Sequence, residues 1–435
     1  MNPLAKKLND EIISQNPNVY EMLSNTGKEL FMPKGILSQS AEAKAKASKF
    51  NATIGISTDH GSPMYLNSMF EKFNGIEPSN LFTYAPASGI LELRNVWQNK
   101  IKEETPSLGN AEISKPVVCN ALTNGLTIAA NLFLDKGDYV VIPDKFWGNY
   151  RLMFNTILGG EIATYPIFNE SNGYNVEGLL NKVKECGLKK KKVFIVLNFP
   201  NNPTGYTITK EEANQIAAGL EEIANSGINI VAVTDDAYYG LFFDEKINTE
   251  SLFGKLVGKS DRLLAVKVDG ITKESFAWGF RVGFITFGQT VKGDNSAILN
   301  ALEVKATGFI RSTISSVPHP SQSIALGALK SPKFKEERAI WNKVIGDRCN
   351  KVHEVLKNNS YDDEFTAYPF NSGYFMCIKL LNVDSEELRL ALLDEGIGVI
   401  STNPTDIRIA FSSVDIENIE ELFSEIYKTI KKIKK

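Results

Sequence analysis

The chain has 435 residues, enough for a sizeable core, and its 48 Lys plus Arg against 51 Asp plus Glu leave a formal charge of only -3. That balance carries no electrostatic footprint for nucleic acid or an anionic membrane, so neither partner is expected. The four cysteines, Cys119, Cys186, Cys349 and Cys377, form no CxxC pair, and no run of 18 apolar residues or signal-peptide core is present, so the expectation is a cytoplasmic chain without metal site or disulfide framework.

Between about residues 115 and 290, short β-branched apolar runs alternate with helical patterns, which predicts βαβ units around a mostly parallel sheet. A short strand is expected before Thr123, with further strands at 139–143, 193–199, 228–233, 263–268 and 282–287. Between the strands at 193–199 and 228–233, Thr209 and Glu212 make a capping box, and Ala213, Ile216, Ala217, Leu220, Ile223 and Ala224 fall on one helical face that Gly227 ends. After Pro318 and Pro320 the pattern changes to long amphipathic helices, which predicts a second domain. Its last helix carries Ile416, Ile419, Leu422, Phe423, Ile426 and Ile430 at helical spacing, with lysines toward the negative pole of the macrodipole.

Three of these strands are followed by polar runs: Asn201, Asn202, Pro203, Thr204, Gly205; then Asp235, Asp236, Ala237, Tyr238; then Gly270, Ile271, Thr272, Lys273, with Arg281 eight residues on. Each run alone has an ordinary explanation as a turn, a helix cap or a solvated lysine. Their repeated position is harder to obtain from turn chemistry, because ligands of open parallel sheets bind at the carboxyl ends of the strands.

Together, the NNPTG turn, the Asp-x-Ala-Tyr run and the lysine eight residues before Arg281 resemble the fold type I pyridoxal-phosphate enzymes, specifically the class I and II aminotransferases. The resemblance implies an α/β fold: a large domain over 59–320 with a mostly parallel seven-stranded sheet between helices, and a smaller α+β domain from 1–58 and 321–435. It implies that Lys273 carries pyridoxal phosphate as a Schiff base, that Asp235 pairs with the pyridine nitrogen, and that Asn202 and Tyr238 bond the phenolic oxygen. Asn124, Gly125 and Leu126, within the run from Thr123 to Thr127, would hold the phosphate at a helix N-terminus with Arg281. The family commonly has serine where Gly270 stands, with Thr272 as the possible substitute. Trp147, or its rival Phe146, would stack on the ring, and Tyr84 would reach the phosphate of a neighbouring subunit in a homodimer.

Arg408, in the run from Ile407 to Ser412, matches the arginine that grips the substrate α-carboxylate, and Gly55 the segment that closes over it. Arg311, with Ser315, falls where aspartate aminotransferases read a distal carboxylate from the partner subunit; the alternative is an interface or surface arginine. The implied activity is ping-pong transfer from an L-amino acid to a 2-oxo acid, with aspartate or glutamate favoured and aromatic donors possible. A β-lyase on the same fold and a non-catalytic regulatory module are the alternatives. His60, His319 and His353 match no motif and are expected to be structural or at the surface.

Overall fold

The structure, a computed structural model, describes residues 1–33, 35–289 and 294–434. Seven strands form its main sheet: β1 (Val117–Asn120), β2 (Tyr139–Pro143), β3 (Glu161–Tyr165), β4 (Lys192–Asn198), β5 (Asn229–Asp235), β6 (Leu263–Gly270) and β7 (Val282–Gly288). They lie in the order β1-β7-β6-β5-β4-β2-β3. The ladders from β3 across to β6 are parallel, and β7 runs antiparallel to both β6 and β1. β4 is buried from Val193 to Asn198 and β7 along its whole length. Both faces of these strands are therefore covered, and this is why they read as continuous apolar runs rather than as an alternation.

The expected strands lie within two residues of the observed ones at either end. β3 was not expected. Of its five residues only Tyr165 is buried, so this edge strand shows no hydrophobic period.

Helix α1 (Leu91–Glu104) packs on the sheet through Trp97, whose ring stacks on Phe284 at 4.2 Å. Helix α2 (Ala121–Phe133) follows β1, and α3 (Lys210–Asn225) carries the expected capping box with all six predicted apolar residues buried. Gly227 has φ +99° and closes α3, a conformation that costs glycine no steric penalty. The single turn α4 (Ile271–Glu274) leaves the end of β6, and α5 (Asn295–Thr313) follows β7.

A second, four-stranded antiparallel sheet contains β8 (Phe365–Ala367), β9 (Met376–Leu380), β10 (Ile400–Asn403) and β11 (Asp406–Ile409) in the order β8-β9-β11-β10. Helices α6 (Phe334–Asn358) and α7 (Ile419–Ile433) accompany it. Ile419, Leu422, Phe423, Ile426 and Ile430 are buried along α7 as expected; Ile416 is not, because it lies in a separate turn before the helix and is 41% exposed. Near the N-terminus, Phe50 and Asn51 pair in parallel with Ile397 and Gly398, tying that segment to the second sheet's side of the molecule. Among the described residues no helix is long and apolar enough to cross a membrane, and all four cysteines are free and buried.

Candidate active site

A cavity of about 300 Å³ opens at the carboxyl ends of β4, β5 and β6. Asn198, the last residue of β4, donates from Nδ2 to the Asp235 carbonyl at 2.8 Å and accepts the Asn202 N–H at 2.8 Å, so one side chain joins two strand ends to the turn beyond. Within that turn Asn201 Oδ1 accepts the N–H and the hydroxyl of Thr204. Gly205 has φ +74°, and a Cβ there would lie 1.9 Å from the Phe375 carbonyl oxygen. The turn is thus pressed against the segment leading into β9, and Asn202 is delivered to the cavity wall.

The step from β6 to α4 brings Thr272 and Lys273 to the same wall. A Cβ on Gly270 would sit 2.7 Å from both Gly283 Cα and the Val282 carbonyl oxygen, so serine has no room where the resembling family has it. Thr272 is buried, its Oγ1 has no hydrogen-bond partner, and the buried indole N–H of Trp278, on the same cavity, has none either. Buried polar atoms are normally satisfied, so orphaned donors on a cavity wall mark where a ligand's acceptors fit.

Arg281 lies on the cavity as well, donating to the Trp278 carbonyl at 3.3 Å. Its own carbonyl accepts the N–H of Ala121, which takes φ +61° at the start of α2. Leu122, Thr123 and Leu126 then face the cavity. Asn124 and Gly125 do not: Asn124 Oδ1 accepts the Asn120 N–H, and a Cβ on Gly125 would come within 2.7 Å of Val268 on β6. Helical periodicity explains this correction, since 122, 123 and 126 share one face of α2 while 124 and 125 turn to the cap and the sheet. The helix N-terminus and Arg281 together could hold a phosphate.

Asp235 and Lys273 line this one cavity, Asp235 buried and Lys273 partly so, and desolvation shifts each toward its neutral form. Burial lowers the Lys273 ammonium to about 8; the Asp235 carboxylate opposes that shift and Arg281 adds to it. Burial raises Asp235 to about 6 against the hydrogen bond donated by Tyr150. Tyr150 was not singled out from the sequence. The only signal was its place three residues after Trp147 in the same loop, because its hydrogen bond depends on the tertiary approach of Asp235. Tyr238 lies beneath the amine, with Lys273 Nζ 5.1 Å from its ring centre.

Arg408 on β11 is fully buried, donating to Asn202 Oδ1 at 3.2 Å and to the Thr53 carbonyl at 3.0 Å, above the Phe375 ring at 4.1 Å. Among the described residues no carboxylate pairs with it, and its Nε has no partner. A buried guanidinium without a counter-charge is costly unless an anion joins it. Gly55 also lines the cavity; a Cβ there would meet nothing within 4 Å.

A second cavity of about 470 Å³ shares Thr123, Trp147 and Asn202 with the first. Met32, Pro33, Phe146, Leu152 and Pro203 make its apolar wall, and none of the described residues lining it is charged. Lys145 of the same loop is paired with Asp406 at 2.7 Å. Trp147 therefore touches both cavities, whereas Phe146 lines only the outer one.

Besides Asn124 and Gly125, two more predicted residues do not line the chain's own cavity. Tyr84 is 91% exposed, and Arg311 at the end of α5 donates to Ser315 at the surface. His353 stacks on Phe370, His319 bonds Thr83, and His60 lies near Asp415 and Glu417 at the surface, where Arg348 already pairs with Asp415.

The arrangement presents an amine, a carboxylate, anion donors and a buried guanidinium without a counter-charge on the wall of one cavity. It can capture a phosphorylated aldehyde covalently and hold the carboxylate of a second molecule beside it. Comparisons with known proteins point the same way. Residues 56–426 match the sequence pattern of the family described as aminotransferase class I and II. The chain is similar to a probable aspartate aminotransferase of Methanocaldococcus jannaschii, 27% identical over 79% of this chain and 85% of that one. It is 29% identical to a probable aspartate/prephenate aminotransferase of Aquifex aeolicus over 58% of each chain. Its fold is similar to an aminotransferase crystal structure from Anaerococcus prevotii, with TM-score 0.84 and 22% identity over 95% of this chain and all of that one.

Proposed function

The chain belongs to the class I and II aminotransferases, and from that premise we propose that Lys273 is the amine that captures pyridoxal phosphate while Arg408 holds the α-carboxylate of the amino acid being converted. The enzyme uses this cofactor to move an amino group between an amino acid and a 2-oxo acid. Pyridoxal phosphate, when bound, supplies the aldehyde carbon and a ring that draws electrons from the substrate.

The protein supplies position and proton traffic. Leu122 and Thr123 at the start of α2, Thr272 Oγ1 and Arg281 would hold the phosphate; the two orphaned donors on the wall, Thr272 Oγ1 and Trp278 Nε1, support this fit. Asp235 would keep a proton on the pyridine nitrogen, and Tyr150 orients that carboxylate through its hydrogen bond. Trp147 on the cavity wall would cover the ring, and Asn202 and Tyr238, on the same wall, would bond its phenolic oxygen. Lys273 Nζ would serve as the base that takes the proton from the substrate Cα. The neutral amine needed for this is favoured by burial. The unpaired, buried guanidinium of Arg408 carries the reading, because an α-carboxylate is the counter-charge it lacks.

For the side chain of the donor, the names of the aspartate and aspartate/prephenate relatives support an acidic substrate, with Arg311 supplied by a second subunit. The uncharged outer cavity favours a second class beside it, bulky apolar donors, since a carboxylate there would lose hydration without compensation. Exposed Phe82 and Tyr84 support a homodimer in which each chain completes the other's site. Four unpaired buried thiols suit a cytoplasmic setting.

Protein loaded with pyridoxal phosphate is expected to absorb in the visible, and aspartate, glutamate and phenylalanine are each expected to bleach that band with release of a 2-oxo acid. Arg408→Leu should retain the band and raise KM for every donor on the order of 100-fold, because one side of a buried charge pair is gone. A variant with unchanged donor KM would remove Arg408 from the site.

A further inference from the structure

Behind the cavity lies a second set of buried charges that the reaction does not touch. The residue after Asp235 is Asp236 and the residue after Lys273 is Glu274; both are buried, and both side chains engage partners away from the cavity. Asp236 accepts the Ser251 hydroxyl at 2.6 Å and pairs with Lys267. Lys267 lies 3.4 Å from Asp269, whose carboxylate accepts the Trp97 indole N–H at 2.9 Å. Glu274 lies 3.1 Å from Lys100, which is 2.6 Å from Glu104, and Arg338 of α6 spans Glu104 at 3.2 Å and Glu274 at 3.9 Å. The Tyr239 ring sits between the two halves, with Lys267 Nζ at 4.8 Å and Lys100 Nζ at 5.4 Å from its centre.

Four carboxylates and three cations thus meet here, with Asp236, Lys267, Asp269 and Glu274 buried and Lys100, Glu104 and Arg338 half-buried. Buried ion pairs recover their desolvation cost only in good geometry and are weak stabilisers on balance, whereas leaving one partner alone is expensive. What such a set provides is a fixed geometry. The element that most needs one is α4: a four-residue turn has no helical stability of its own, so contacts must orient it. On the cavity side it is held by the Tyr374 hydroxyl, which donates to the Lys273 carbonyl at 3.0 Å. On the far side the grip is the Glu274 carboxylate.

We propose that Glu274 is a positioning residue: clamped by Lys100 of α1 and Arg338 of α6, it fixes the turn from which Lys273 reaches the cavity. The proposal rests on Lys273 being the cofactor-capturing amine. It assigns Glu274 no contact with substrate, and its effect falls on the placement of one nitrogen. Misplacement by a fraction of an ångström lowers the rate of steps that use Lys273 without changing how Arg408 holds the carboxylate.

The test compares wild type with Glu274→Gln, Lys100→Met and Lys100→Arg, together with the double variant Glu274→Gln/Lys100→Met. Two rates are read by rapid mixing: capture of pyridoxal phosphate by the cofactor-free chain, and bleaching of the loaded enzyme by aspartate across its concentration range. Glu274→Gln is expected to slow both rates by about tenfold or more while the half-saturating aspartate concentration stays within about twofold. Lys100→Met should reproduce that split, Lys100→Arg should restore near wild-type rates, and the double variant should be no slower than either single one, because all act through one clamp. Lower thermal stability with both rates unchanged would make the cluster structural only and overturn the proposal. Should Glu274→Gln fail to fold, Lys100→Met decides in the same way. Failure of wild type to form any lysine-dependent visible band would instead strike the cofactor reading itself.

Discussion

Lys273 and Asp235 share a cavity, and the consequence of desolvation there for Lys273 has a definite sign. Burial disfavours the ammonium, so the folded, cofactor-free chain releases that proton at about 8 instead of the ordinary 10.5. Only the free amine attacks an aldehyde. The rate of pyridoxal phosphate capture should therefore climb with pH around a midpoint near 8, measured as growth of the visible band. Asp235 is ionised there, because its own value is about 6, and its charge holds the proton on Lys273. Asp235→Asn should move the midpoint lower. A wild-type midpoint above 10, or a rise on removing Asp235, would contradict the electrostatic account. Residues of this kind were legible in the sequence through their combination and their repeated place after strands, since each polar run alone has an ordinary explanation. Tyr150 was not, since a tyrosine in an aromatic loop becomes an Asp235 partner only when the loop folds over β5. Asn124 and Gly125 were read as ligand contacts from their place in a run, but the 3.6-residue turn of α2 separates them from Leu122, Thr123 and Leu126.

At the scale of elements, the start of α3 shows how a local signal acquires a tertiary load. Glu212 accepts the Thr209 N–H at 2.7 Å, as a capping box requires, and Thr209 Oγ1 accepts the Glu212 N–H at 3.2 Å. The same carboxylate also accepts the Tyr174 N–H at 2.6 Å and the Tyr206 hydroxyl at 3.1 Å. Thr209→Ala should cost about 1 kcal/mol, the usual value of an N-cap. Glu212→Ala should cost more, about 2–4 kcal/mol, because two further donors lose their acceptor. Urea denaturation of the two variants checks the ranking; equal losses would confine Glu212 to the cap. The capping box was readable because both partners are three residues apart. The second role was not, because Tyr174 and Tyr206 reach Glu212 from separate loops. The same contrast explains the strands: β4 to β7 are buried on both faces and stand out as apolar runs, whereas β3 depends on pairing with β2 for its identity.

For the molecule as a whole, the single chain leaves Tyr84 almost fully exposed, while Thr272, Arg281 and the start of α2 line its own cavity. If Tyr84 of each subunit completes the cavity of the other, two defective chains can repair one another. Tyr84→Ala homodimers would lack the reaching side chain in both sites, and Lys273→Ala homodimers would lack the amine in both. A hybrid of the two has one site with both groups intact and one with neither. Equal mixing after dissociation and reassociation should give roughly a quarter of wild-type activity per chain, since half of the dimers are hybrids with one intact site each. Each variant alone should stay well below that level, with Lys273→Ala inactive. A site built wholly within one chain predicts something different: activity that is only the average of the two unmixed preparations, whatever the oligomer's size. The mixing ratio distinguishes these cases further, because hybrid repair peaks at equal amounts and vanishes at either extreme, while averaging is linear in the fraction of the Tyr84 variant.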